Sequence, residues 1–274
     1  MRFGDQRIKE IHELARELEL FDGIDLCSCK ARSLSRLPVM NYAFFPGGNG
    51  LYRGVEVNEF PKIDMLLLGS DFGCLGALVE GREERELWTT DERGGPTWKG
   101  LRDLFREVGI DRERCFFTNA WPLLHLPLKN GKESNDDPPI DIWRRNELLT
   151  VRCIAFFQST LKLIKPSMVV ALGKGPTVFL GDAFPDELKE WSFKRGRSLN
   201  SIRWQRDLDE LFMKRIPVEG SPVGRHLVCV AIHHPSKFTL HKENRREKYR
   251  GSGGRIKLLQ EAMKEARIPR SDPK

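Results

Sequence analysis

Apolar residues along this chain follow two regimes. Through residues 6–20, Ile8, Ile11, Leu14, Ala15 and Leu18 recur at the spacing of an amphipathic helix, with charges on the other face. Residues 27–58 then lose any period and are rich in turn formers, with Pro46-Gly47-Gly48-Asn49-Gly50 in their middle. From Ile63 the pattern becomes short unbroken apolar runs, Leu66-Leu67-Leu68, Phe116-Phe117, Val169-Val170-Ala171 and Val230-Ala231-Ile232. Runs this short, ended by small or polar residues, predict strands buried on both faces.

The segments between these runs predict helices. Residues 99–108 read as a short amphipathic helix, 142–164 as a long one stopped by Pro166, and 256–266 as a last helix closing the chain. The polar stretches 130–139 and 195–200 belong on the surface. Strands alternating with helices imply an α/β fold, a three-layer α/β/α sandwich with a central, mainly parallel sheet. The expected division is an N-terminal helical and irregular extension, 1–60, and a main domain, 61–274.

Composition narrows the class. A chain of 274 residues can bury a full core. Its longest apolar runs fall far short of the roughly 20 residues of a membrane span, and the charged N-terminus lacks an apolar signal region. A cytoplasmic protein is expected, or a nuclear one if eukaryotic. The formal net charge is +7, with a pI near 9.1. The excess is concentrated: Lys242, Arg245, Arg246, Lys248, Arg250 and Arg255 follow closely on His233-His234-Pro235-Ser236. Such a run suits phosphate contacts with a nucleic acid, and equally suits a solvated face. The six cysteines read as reduced thiols. Cys27-Ser28-Cys29 is their only close pair, and its one-residue spacer does not suit a zinc knuckle.

Chemistry-bearing residues sit where the strands end. Leu68-Gly69-Ser70-Asp71-Phe72-Gly73, Thr118-Asn119-Ala120 and Ile232-His233-His234-Pro235-Ser236 each follow an apolar run. In open α/β sheets ligands bind outside the carboxyl ends of the strands, so an Asp, an Asn and a His would converge there.

These motifs, in this order, resemble the uracil-DNA glycosylase superfamily. Gly69-Ser70-Asp71 resembles its first motif, Thr118-Asn119-Ala120 its base-recognition strand and His234-Pro235-Ser236 its late His-Pro-Ser motif. Lys165-Pro166 followed by residues 169–173 is similar to the helix, Pro, strand and Leu-Gly pattern between them. The resemblance spans about residues 63–240 and leaves the first sixty or so unexplained. It implies a DNA glycosylase that flips a pyrimidine out of the helix, uracil by family default, and hydrolyses its glycosidic bond to leave an abasic site. The implied partner is DNA, with no membrane or obligate protein partner and no metal or organic cofactor.

The implied roles make chemical sense. Breaking an N-glycosidic bond develops positive charge on the sugar and negative charge on the departing base. Asp71 suits the sugar side, stabilising an oxocarbenium-like centre and orienting water, while His234 suits the base side, hydrogen-bonding the pyrimidine O2 as charge forms. The flat amide of Asn119 offers a donor and an acceptor to the O4 and N3–H edge of uracil, where cytosine presents the reverse at position 4. Trp98, in a Gly- and Pro-bearing loop, is the candidate stacking face, with Trp88 and Phe72 as rivals. Ser236 suits a phosphate and Phe238 the gap left by the flipped nucleotide, with Lys237, Lys242, Arg245 and Arg246 on the strand backbone. Each residue also has a plain structural use: Asp71 and Asn119 as turn caps, His234 as a packed strand-end histidine like His233, the tryptophans as core, Phe238 and Leu240 as loop anchors.

Departures from the family pattern shape the alternatives. Phe72 and Gly73 stand where the family has Pro and often Tyr, whose ring excludes bases with a 5-methyl group. An open wall at Gly73 would admit thymine or a bulkier 5-substituted pyrimidine, and suggests a glycosylase acting on modified bases of foreign, viral DNA in antiviral defence. Cys153 stands where an iron–sulfur subfamily has a cluster ligand, but the residues after Asn119, Ala120-Trp121-Pro122-Leu123-Leu124, offer no partner, so no cluster is expected. Without a convincing Lys nucleophile, strand cleavage through a Schiff base is not expected either. A third reading is a DNA-binding module on the same fold with no turnover, which has no need of an acid opposite an imidazole.

Overall fold

The computed structural model describes residues 10, 13–14, 17–18, 20–32, 63–71, 96–126, 140–192, 213–217, 226–232 and 251–271. Their elements, in chain order, are β1 (Ala31–Arg32), β2 (Met65–Gly69), α1 (Pro96–Val108), β3 (Cys115–Asn119), β4 (Leu124–His125), α2 (Ile140–Arg145), α3 (Glu147–Ile164), β5 (Met168–Leu172), α4 (Lys174–Ala183), β6 (Met213–Pro217), β7 (His226–Ile232) and α5 (Gly251–Glu265). No described helix is long and apolar enough to cross a membrane.

The main sheet has the order β3-β2-β5-β7-β6, with the first four strands parallel and β6 antiparallel at the edge. Every residue of β2, β3 and β5 is buried, as is β7 beyond His226. This is why these strands read as solid apolar runs rather than alternating ones: both faces are covered. Edge strand β6 differs in kind, carrying Lys214, Arg215 and Pro217, residues that discourage a further strand from pairing. The crossover from β2 through α1 to β3 runs one way along the sheet, and the crossovers through α2–α3 and α4 run the other. Right-handed connections therefore put these helices on opposite faces. The contacts agree, with α1 packed on α5, α2 on α3 and α3 on α4. The main sheet and its helices have the mixed, mainly parallel α/β architecture expected.

Element bounds differ from expectation where hydrogen bonding is local. The long helix foreseen over 142–164 is two helices divided at Asn146. This residue is extended (φ −81°, ψ 98°), and its Oδ1 accepts the Leu149 N–H at 3.0 Å as the N-cap of α3. Asn is a strong cap because its side chain competes with the helical backbone for such donors. Lys165 ends α3 in the left-handed region (φ 53°), just before Pro166. The last helix begins at Gly251, ahead of the expected 256, and the first helix of the main domain at Pro96 rather than 99.

The described part of the N-terminal extension shares the core of the sheet domain, with Leu20, Cys29 and Ala31 buried in it. Trp143 Nε1 donates to the Cys29 carbonyl at 2.9 Å, and Asn146 Nδ2 lies 3.3 Å from Cys29 Sγ. Strand β1 pairs antiparallel with β4 in a small second sheet, Ala31 opposite His125 and Arg32 opposite Leu124. Arg255, which the sequence groups with the basic run, is corrected by the structure. It lies in α5, only 4 % exposed, and burial pushes its guanidinium below its ordinary pKa, so it is no part of a solvated phosphate-binding face.

Candidate active site

Parallel register brings the ends of four strands to one edge of the sheet. Gly69 pairs with Asn119 across β2 and β3, Leu68 with Ala171 across β2 and β5, and Leu172 with Ile232 across β5 and β7. Asp71 leaves β2 two residues beyond Gly69 and Asn119 is the last residue of β3, so the Asp and the Asn of the motifs emerge from adjacent strands. Asn119 is 2 % exposed and the Asp71 carboxylate 6 %. Strand β7 ends at Ile232, on the same edge. His234 follows two residues later and lies outside the described residues, as do Phe72, Gly73, Ser236, Lys237, Phe238, Lys242, Arg245 and Arg246. Trp98 stands in the first turn of α1. A helix joining parallel strands runs back against them, so that turn begins on the edge where Asp71 emerges. The Trp98 side chain is outside the described residues.

The ladder does not stop where the strands do. Ala120 N–H donates to Gly69 O and Trp121 N–H to Ser70 O, both at 2.9 Å, so the chain leaving β3 stays bonded to the turn leading to Asp71. Leu123 N–H then donates to Trp121 O at 2.8 Å, a two-residue closure that reverses the chain. The reversal feeds β4 back past the site. His125 Nδ1 arrives 3.4 Å from Asp71 Oδ2, with the imidazole 14 % exposed.

Aromatic packing holds this reversal rigid. Trp121 is fully buried, its ring 5.1 Å from Phe179 in an edge-on contact and 5.5 Å from Trp143. Trp121, Trp143 and Trp191 are all core residues, and none offers a free face for a base. Ser70, next to Asp71 in the chain, packs against the start of α4. A Cβ on Gly175 would meet the Ser70 hydroxyl at 2.8 Å and collide with Ile140 Cδ1, so a side chain here would have to push both of these aside for helix and turn to approach as they do.

His125 belongs to none of the sequence motifs and is not among the candidate site residues. Its only signal in the sequence is one imidazole inside an otherwise apolar Leu123-Leu124-His125-Leu126 stretch. Among the described residues no group of three or more His, Cys, Asp or Glu side chains is arranged to hold a metal. Cys27 is exposed; Cys29 and Cys153 are buried free thiols, and burial pushes the Cys153 thiol far above its ordinary pKa.

With a mainly parallel α/β sheet and polar residues gathered at its carboxyl edge, the protein has the architecture of α/β proteins that bind ligands beyond their strand ends. The family model for the uracil DNA glycosylase superfamily matches residues 92–252, more than half of the chain, and the chain belongs to that superfamily. The match takes in Asn119 and His234-Pro235-Ser236 and begins downstream of Asp71. Membership points to DNA as the substrate and to a DNA glycosylase as the class of enzyme. No curated protein matches the chain.

Proposed function

We propose that this protein is a monofunctional DNA glycosylase that flips out a pyrimidine, uracil in the first instance, and hydrolyses its glycosidic bond with water. The observation that carries the reading is the emergence of Asp71 and Asn119 side by side from the Gly69–Asn119 rung, in a chain of this superfamily. In this reading Asp71 stabilises the sugar cation and orients water, and His234 stabilises charge on the departing base. Asn119 pairs with the O4 and N3–H edge, with Phe72, Gly73 and Trp98 around the ring. Ser236, Lys237, Phe238, Lys242, Arg245 and Arg246 hold the opened strand.

The test is to incubate the protein with oligonucleotides carrying a panel of pyrimidines and then to cleave abasic sites with alkali. Cleavage at uracil is the expected result. No cleavage at any pyrimidine, plain or modified, would leave a DNA-binding module and overturn the proposal.

A second reading has its own support in Phe72-Gly73, which lack the Pro and Tyr of the family pattern. The enzyme would then remove 5-substituted pyrimidines from foreign DNA. Release of a 5-substituted base faster than uracil from matched duplexes favours it; release of uracil alone excludes it.

A further inference from the structure

Asp71 and His125 come from different elements, are separated in sequence by the whole of α1 and β3, and meet in a nearly closed space beside the strand ends. We propose that His125 is a positioning residue for Asp71, fixing the orientation in which its carboxylate faces the reacting sugar. The inference rests on the reading of Asp71 as the sugar-side carboxylate.

A carboxylate two residues beyond a strand end has two side-chain torsions to settle, and its burial removes the water that would otherwise satisfy both oxygens. The His125 imidazole stands against Oδ2 in this buried space, where a short approach of its Nδ1–H to that oxygen fixes the orientation of the carboxylate. At 3.4 Å the pair is at ion-pair distance and is not a hydrogen bond. Contacts of this kind shorten when the reacting complex forms.

His125 is itself well held. It lies opposite Ala31, which is 2 % exposed, and the next residue, Leu126, donates its N–H to the Lys30 carbonyl at 2.8 Å. Cys29, one residue further back, is tied to α2 by the Trp143 indole. The described part of the N-terminal extension thus forms the frame in which the imidazole is set, which accounts for a segment that the superfamily match does not cover.

The test uses the full chain and single-turnover release of the best base from the oligonucleotide panel, with thermal melting of each variant. His125→Leu is expected to lower the maximal rate about 100-fold, the cost of a small misplacement of a reacting group, while the DNA concentration for half-maximal rate stays constant. His125→Asn, whose amide nitrogen can stand where Nδ1 stood, is expected to keep most of the rate. His125→Gln, which reaches the position of Nε2 instead, is expected to lose it as His125→Leu does. In the Asp71→Asn background, His125→Leu should have no further effect. Equal rates for the Asn and Gln variants would overturn the proposal, as would losses that add in the double variant, or wild-type activity in His125→Leu. An inactive wild-type chain would instead overturn the glycosylase reading itself, and this inference with it.

Discussion

Gly69 and Asn119 form the last rung between β2 and β3, and two further backbone bonds keep the departing chains together as far as Trp121. The turn bearing Asp71 and the strand bearing Asn119 therefore leave the sheet as one unit. Under the proposed chemistry, Asp71→Asn removes the negative charge while keeping the shape. Base release should fall by about 100-fold to 1000-fold, with salt-sensitive DNA binding nearly unchanged. The measurement is single-turnover release beside a binding titration; a parallel loss of both would remove Asp71 from the chemistry.

Asn119→Ala deletes the amide without disturbing the rung, since the rung is backbone. Uracil release should drop and the preference for uracil over cytosine should shrink by about 1 to 3 kcal/mol, the discrimination typical of a bidentate contact to a base edge. Competition between uracil- and cytosine-bearing oligonucleotides reads this directly. An unchanged preference would place base recognition elsewhere.

Two glycines test how tightly α4 is seated. At Gly181 a Cβ would run into the backbone of Trp191 and Ser192, with Trp191 C at 2.5 Å and Ser192 Cα at 2.7 Å. At Gly175 it would meet side-chain atoms, Ile140 Cδ1 and Ser70 Oγ, which can rotate away. Gly181→Ala should therefore cost about 3 kcal/mol or more and Gly175→Ala about 1 to 2 kcal/mol. Gly175→Ala should slow base release beyond its effect on stability, because the atom it displaces belongs to the neighbour of Asp71. Urea titrations and rates of the two variants separate these effects.

Arg144 and Asp182 join α2 to α4 through two parallel bonds, Nε to Oδ2 at 2.7 Å and Nη2 to Oδ1 at 2.8 Å, with Ser192 Oγ donating to the same carboxylate at 2.7 Å. Arg144 is 4 % exposed, so Asp182→Ala would leave a buried cation. A loss of about 3 to 5 kcal/mol is expected, measured by urea unfolding, and the double variant Arg144→Met/Asp182→Leu should recover much of it.

Burial raises the thiols of Cys115, Cys153 and Cys229 well above their ordinary value of 9.0. At Cys115 the neighbouring Asp111 and Asp64 add to the effect. At pH 8 a thiol reagent should label exposed Cys27 and reach these three only on unfolding. The sign for stability follows. The folded chain keeps protons that the unfolded chain releases as pH climbs through about 9, so these thiols support folding below that range and lose their contribution above it. The urea midpoint should fall steadily from pH 8.5 upward, and less steeply in Cys153→Ala.

Much of the fold was legible because its signals are local. Leu66-Leu67-Leu68 and Val169-Val170-Ala171 are too short for helices and too apolar for surface strands, and a parallel sheet covered on both faces is the remaining solution. The placement of Asp71 and Asn119 at strand ends was legible for the same reason. Helix bounds were less so: the break at Asn146 depends on one side chain outcompeting the backbone for a donor, within a segment whose apolar spacing runs straight through it. Arg255 looked like one more member of a basic run because charge counts carry no information on which face of α5 turns inward.

By itself the sequence determined the alternation of strand and helix, the class of fold and the polar residues that end each strand. Those follow from side-chain chemistry over a few neighbouring positions. Only the tertiary structure decided that His125 lies against Asp71, that Ala31 of the extension stands opposite His125, and that Trp121 is core. Each of these depends on parallel register, on the chain reversal at Leu123 and on packing between segments far apart in sequence, and close approach of that kind is set by the summed geometry of many elements.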